Sequence, residues 1–204
     1  MAKTKNILEP KQSDFNLKSI KILNGGGLYV EYNYQFSSHN ESHTIDAKIS
    51  NSANVHDDLW ALLKKQKPNV LTVEEINYRM MATTLEKMGI DNQKEVSQVV
   101  EGMQQDALQK IEITGIKISG KDEKKQSVIT YKKITGNKKI AGRATTLIQL
   151  SGSVYGFEQE LESDLEEITT EVYAYLFEGK FGDSDQQELN FGEVVEEKEE
   201  PEEE

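Results

Sequence analysis

The chain of 204 residues contains no cysteine, which excludes a disulfide framework, a thiolate nucleophile and a cysteine-ligated zinc centre. Its imidazole is limited to His39, His43 and His56. His39 and His43 flank Glu41 in HNESH, but SSHNESH reads as an exposed loop and matches HExxH neither in order nor in helical setting. There is no GxSxG, and Gly25-Gly26-Gly27 is not followed by the Lys-Ser or Lys-Thr of a phosphate loop. Catalysis needs a distinguishable constellation of such groups. The expectation is a protein that is not an enzyme and uses no metal or cofactor. No run of about 20 apolar residues occurs, and the lysine-bearing start MAKTKNILEP lacks the apolar stretch of a signal peptide. Neither a membrane span nor export by that route is expected.

Hydrophobic residues are scarce too, at 36%, against a usual ~45–50% that also counts glycine. Polar ends and exposed helices account for the shortfall in a chain of single-domain length. Residues 15–180 are expected to form one α+β domain, with 1–14 a flexible start and 181–204 a disordered acidic tail. In the last twelve residues, Glu193 to Glu204, eight glutamates stand against Lys198 alone. Such a stretch cannot bury enough apolar surface to offset its chain entropy.

The net charge of −12 is unevenly spread: residues 1–156 carry 22 Lys and Arg against 17 Asp and Glu, so the body is mildly basic. Within it, residues 116–143 hold eight lysines and Arg143 against Asp122 and Glu123. Residues 157–180 carry eight acids and one lysine.

Hydrophobic periodicity places the elements. FNLKSIKIL (15–23) and LYVEYNYQF (28–36), separated by Asn24-Gly25-Gly26-Gly27, read as a hairpin, the second strand alternating strictly. TIDAKIS (44–50) alternates again. The period then lengthens to 3.6: a helix over 56–67 closed by Pro68, a second opened by a Thr72–Glu75 capping box and ended by Gly89, and a third within 91–110. Strands resume at 111–119, 126–134 and 139–151. Phe157, Leu161, Leu165, Ile168, Val172, Tyr175 and Leu176 share one stripe of a long C-terminal amphipathic helix, its other face acidic and its end at Gly179.

The order of three strands, a helical insertion and further strands is compatible with an oligonucleotide-binding barrel, whose first and fourth strand connections line the ligand groove. Here these are Asn24 to Gly27 and Gly120 to Lys125, or Thr135 to Lys139 if the strand count shifts. On this reading Lys121, Lys124, Lys125, Lys132, Lys133, Lys138, Lys139 and Arg143 contact phosphate. Tyr131 or Tyr29 is a stacking candidate, Tyr131 being equally readable as core. A basic body with an acidic C-terminus resembles the layout of single-stranded DNA-binding proteins of bacteria and tailed phages, although those tails commonly finish on an aromatic residue and this one finishes Pro201-Glu-Glu-Glu. HDDLWALLKKQKP and EEITTEVYAYLFEGK with QQELNF also resemble uncharacterised proteins of tailed phages. The layout implies single-stranded DNA as partner and a role in replication or recombination; the second resemblance transfers no activity and implies only a phage gene, acting in the cytoplasm of a bacterial host. In QQELNF, Gln186, Leu189 and Phe191 have a spacing similar to peptides that dock on the bacterial sliding clamp, a second partner class. The competing expectation is a phage interaction or inhibitory protein, presenting its acidic helix and tail to a basic host factor.

Overall fold

The computed structural model describes residues 10–38, 41–89, 94, 110–135, 138, 139 and 142–182, with the side chains of 36–38, 41, 42, 134, 135, 138 and 139 outside that description. The architecture is mixed α and β. Strands β1 (Phe15–Ile22), β2 (Leu28–Ser38) and β3 (Glu41–Asn51) form a meander, followed by helices α1 (Asp57–Lys65) and α2 (Lys67–Lys87). Then come β4 (Ile111–Ser119), β5 (Gln126–Thr135) and three two-residue strands, β6 (Lys138–Lys139), β7 (Arg143–Ala144) and β8 (Ile148–Gln149). Helix α3 (Glu158–Tyr173) continues into one π-helical turn, Ala174–Glu178, and ends at Gly179, whose φ of 73° is the left-handed conformation glycine adopts without penalty.

The sheet order is β3-β2-β1-β4-β5-β6, with β7 and β8 also pairing β5 and every pairing antiparallel. β3 lies at one end of this path and β5 near the other, and the sheet is not closed into a barrel. At the β1–β4 junction Gly115 is required: a Cβ there would lie 2.3 Å from the Ile20 carbonyl oxygen.

Strand alternation sends Phe15, Leu17, Ile20, Leu28, Val30, Tyr32, Tyr34, Ile111, Ile113, Ile116, Ile129 and Tyr131 to one face, where all are buried. Leu59 and Leu63 of α1, Val70 and Val73 of α2, and Leu161, Leu165, Ile168 and Val172 of α3 cover that face. No helix among the described residues is long and apolar enough to cross a membrane.

Three expectations are corrected. SSHNESH is not a loop along most of its length: β2 runs on to Ser38 and β3 begins at Glu41, with Ser37 paired to Ser42 and Ser38 to Glu41, because the hairpin ladder continues past the alternating apolar residues. Pro68 does not close a helix: it sits in the first turn of α2, which starts at Lys67, and the Thr72 hydroxyl donates to the Pro68 carbonyl at 3.1 Å instead of capping a later start. Proline suits the first turn because its missing N–H would have no intrahelical partner there. The single strand expected over 139–151 is broken into short pieces along β5. At the break, Thr145 Oγ1 accepts from the Ile129 amide at 3.1 Å while the Thr145 amide donates to the Ile129 carbonyl at 3.0 Å. A side-chain oxygen thus takes the place of a ladder carbonyl. The third helix expected within 91–110 falls largely outside the described residues, as do the flexible start, apart from its last residues, and the acidic tail.

A buried polar junction joins α1, α2 and α3. Asp164, 2% exposed, accepts from Lys65 Nζ at 2.7 Å and from Gln66 Nε2 at 2.7 Å; Gln66 is fully buried, and its Oε1 accepts from Asn69 Nδ2 at 2.8 Å. Removing the carboxylate leaves the Gln66 amide without this acceptor in the interior. Asp164→Ala is therefore expected to cost about 1–3 kcal/mol, and Asp164→Asn, which keeps an acceptor, less. Urea unfolding of both variants checks the order, and equal losses would contradict the role given to Gln66.

Candidate nucleic-acid interface

The basic segment does not converge on one surface. Lys121 and Lys124 are exposed around the short turn Asp122–Lys124 between β4 and β5. Lys125 is half-buried, with Nζ 3.1 Å from Glu162 of α3. Along β5, side chains alternate, so Tyr131 and Lys133 face the helices while Lys132 faces the other side, opposite Glu112 of β4. From Lys125 to Lys133 the strand runs about 26 Å. Lys138 and Lys139 lie in β6 with side chains outside the description, and Gln186, Leu189 and Phe191 lie outside the described residues altogether. The connections Asn24 to Gly27 and Gly120 to Lys125 sit at opposite ends of the sheet. Because Lys21 pairs Gly115 and Ser19 pairs Lys117, the first lies beside the start of β4 and the second beyond its end. The turn after Thr135 shares the end occupied by Asn24 to Gly27, since Lys133 pairs Ile111.

Tyr131 is a core residue, 2% exposed, and its hydroxyl donates to Glu74 of α2. It has no open face for a base. The Glu74 carboxylate, 16% exposed, also has Arg143 Nη1 at 3.9 Å and Lys133 Nζ at 4.0 Å. Two cations expected to meet phosphate are thus drawn to an internal carboxylate. Glu74, Tyr131 and Arg143 border a cleft of about 320 Å³ between α2 and β5–β7, lined also by Asn77, Tyr78, Met81 and Thr146. Asn77 Nδ2 donates to Thr146 Oγ1 at 2.9 Å, and the Tyr155 hydroxyl donates to Asn77 Oδ1 at 3.2 Å. Glu74 and Asn77 were not singled out from sequence. The available signal was their position one helical turn after the buried Val70 and Val73.

The other face of the sheet is polar and carries no helix among the described residues. Across four strands, register aligns Lys117, Ser19, Glu31 and Lys48, and in the neighbouring row Gly115, Lys21, Tyr29 and Ser50. Lys117, Lys21 and Lys48 are exposed, and Tyr29 is half-buried. The Tyr29 hydroxyl donates to Glu31 Oε1 at 2.6 Å, Lys48 Nζ lies 2.9 Å from the same oxygen, and Ser19 Oγ donates to Oε2 at 3.3 Å. The hydrogen bond from Tyr29, then that from Lys48, brings the Glu31 carboxyl down to about 2. The same hydrogen bonds raise the Tyr29 phenol and the Lys48 ammonium. Glu31 thereby fixes an aromatic ring and an ammonium side by side on the open face.

A third cluster has the composition of a metal site and another use. Ligand atoms of His56, Asp58 and Glu171 lie within 4.8 Å of one another. Lys180 Nζ sits among them, 2.7 Å from Asp58 Oδ2 and 2.7 Å from Glu171 Oε2, so an ammonium already supplies the positive charge. His56 Nδ1 accepts from the Asp58 amide at 3.2 Å as the cap of α1. The hydrogen bond from Lys180 lowers the Asp58 carboxyl, and those to Asp58 and Glu171 raise the Lys180 ammonium.

No protein-family model, curated protein or solved structure matches the chain.

Burial, reinforced by the Glu74 hydrogen bond, holds the Tyr131 phenol well above its ordinary value, and burial pushes Tyr175 up to about 12. Both stay protonated in the folded chain while the unfolded chain ionises near ~10. Above that pH the unfolded state binds fewer protons, so stability falls as pH rises toward the folded values. Guanidinium midpoints are expected to hold level to about pH 9.5 and then drop, with a shallower drop in Tyr131→Phe. The same alkaline slope in that variant would contradict the environment assigned to Tyr131.

Proposed function

We propose that the chain binds single-stranded nucleic acid across the open, polar face of its sheet, in DNA replication or recombination. The observation that carries this reading is the band of Lys117, Lys21 and Lys48 set around Tyr29 by strand register. Ammonium groups spaced over adjacent strands suit a flexible phosphate backbone, and a tyrosine among them offers a sequence-tolerant stacking surface. Lys132, on the same face of β5, extends the band.

The acidic C-terminus has a place in this scheme. The chain leaves the described fold at Gly182, whose amide donates to the Asn54 carbonyl at 2.9 Å beside the Val55–Phe181 bridge. Residues 183–192 span at most about 35 Å, which keeps the run Glu193 to Glu204 near the sheet at high effective concentration. Its net charge of −7 makes it an internal competitor for a basic face. Contact with a sliding clamp through Gln186, Leu189 and Phe191 is a separate proposal on the same segment.

The alternative, an acidic helix presented to a basic partner, has less behind it. Glu160, Glu162 and Glu171 of α3 are already paired with Lys65, Lys125 and Lys180 of the same chain. Charge satisfied internally attracts a partner weakly.

Fluorescence anisotropy with a labelled single-stranded oligonucleotide tests the proposal. The full chain and a chain stopped after Gly192 are compared at low and moderate salt. The shorter chain is expected to bind more tightly, and both to weaken steeply with salt. Lys21→Glu with Lys117→Glu is expected to lower affinity on the order of tenfold or more, and Lys121→Glu with Lys124→Glu much less. Absence of binding at micromolar protein in both forms would sink the reading.

A further inference from the structure

β3 ends the sheet path. All 11 of its residues pair with β2, and no strand pairs with its outer edge among the described residues. From Thr44 to Ser50 this regular edge presents backbone donors and acceptors that no described strand takes up, which is a template for another strand. Its inward side chains Ile45, Ala47 and Ile49 are only half-buried against the core, so the described helices stop short of this edge. On the other face, Asp46 and Lys48 stand two residues apart, with side chains 71% and 69% exposed.

We propose that β3 pairs antiparallel with β3 of a second copy about a twofold axis through Ala47, joining two sheets edge to edge. In this register Ala47 meets its own counterpart. Ile45 meets Ile49 of the partner subunit, Asp46 meets Lys48 of the partner subunit, and Thr44 meets Ser50 of the partner subunit, each pair occurring twice by symmetry. Apolar residues extend the buried face across the axis, and opposite charges face each other on the open side.

Neighbouring registers are worse for stated reasons. A slip of one residue sets the isoleucines against polar side chains and reverses the faces. Slips of two place the axis on Asp46 or on Lys48, and either brings like charges directly opposite. The strand is therefore self-complementary about Ala47, whose small side chain fits where the copies come closest. Asp46 keeps Lys18 at 2.5 Å and Lys48 keeps Glu31 at 2.9 Å within each copy. These contacts hold the two charges in place while leaving most of each side chain open to a partner. The pairing stands independently of nucleic-acid binding.

The absence of native cysteine makes the register directly testable. Directly opposed Cα atoms in an antiparallel pair are about 4.5–5.5 Å apart, inside the disulfide range of about 4.4–6.8 Å. The full chain carrying A47C is expected to convert to a covalent dimer under mild oxidation. S50C is not, because the two copies of that position would be about 20 Å apart. In light scattering the unmodified chain is expected to show twice the chain mass at tens of micromolar. D46K and K48D, each shown folded by circular dichroism, are expected to weaken association about tenfold or more, and the double swap D46K/K48D to restore it. A monomeric unmodified chain, equal cross-linking of A47C and S50C, or a dimer indifferent to the single charge reversals would each overturn the pairing.

Discussion

Side-chain alternation along β1 to β5 is the constraint on which the rest of the structure depends. Because successive residues point to opposite faces, each strand commits half of its side chains to the helices and half to solvent. Phe15, Leu17, Ile20, Leu28 and Val30 go inward and are buried, whereas Lys21, Tyr29, Glu31 and Lys117 go outward. The core and the candidate binding face are two outcomes of one pattern. A mutation that slipped a strand by one residue would destroy both together. The bulges at Leu17/Ser19 in β1 and Ile113/Gly115 in β4 locally reset the count. That reset lets Ile20 and Ile116 return to the core while Ser19 and Lys117 stay outside.

Two carboxylates inside the fold show how burial is made tolerable in different ways. Asp164 receives one ammonium and one amide at 2.7 Å each, and lies where three helices meet. Its stabilisation is local and fully matched. Glu74 instead holds the Tyr131 phenol and has Lys133 and Arg143 at the edge of ion-pair distance. Its Oε2 is buried without a hydrogen-bond partner. A buried carboxylate served mainly at one oxygen keeps the two nearby cations from acting as free phosphate ligands. The cleft beside α2 therefore sets Glu74 against Arg143, the basic side chain in its lining.

Much of the fold was legible because it rests on local periodicity. The alternating stretches of the first three strands, the amphipathic stripe of α3 and its stop at Gly179 follow from the spacing of apolar residues and one glycine, whereas the polar ends of β2 and β3, to Ser38 and from Glu41, leave no such spacing. Pro68 was misread because proline is compatible with both the end of one helix and the first turn of the next, and only packing decides. The strand over 139–151 was overextended because a threonine hydroxyl that replaces a ladder carbonyl leaves no mark on hydropathy. The candidate site was the least legible part. Lys21, Lys48 and Lys117 lie far apart in the chain, and only the pairings Lys21–Tyr29 and Ser19–Lys117 bring them into one band. By contrast, the lysines that are crowded together in sequence are dispersed by the same pairings.

Charge counted along a chain therefore measures something different from charge presented by a surface. Of the basic side chains described, Lys18, Lys48, Lys65, Arg79, Lys125, Lys180 and, at longer range, Lys133 and Arg143 serve carboxylates of the fold itself. Lys65, Lys125, Lys133 and Arg143 are consumed in joining α1 to α3, the β4–β5 connection to α3, and β5 and β7 to α2, and Lys180 ties the end of α3 to Asp58 of α1. Glutamates of α3 look like an acidic surface in sequence but are in part the other half of these same contacts. The basic band on the open sheet face owes its charge chiefly to Lys21 and Lys117, which strand register carries away from the acids of the helices, while Lys48 pairs with Glu31 inside the band. Its aromatic member is positioned by a glutamate in its midst, since Glu31 binds the Tyr29 hydroxyl and Lys48 at one oxygen. A single acid in a basic band lowers its net charge but fixes its geometry. Without Glu31 the Tyr29 ring would lose the bond that orients it beside Lys48, and the band would keep its lysines but lose this defined arrangement.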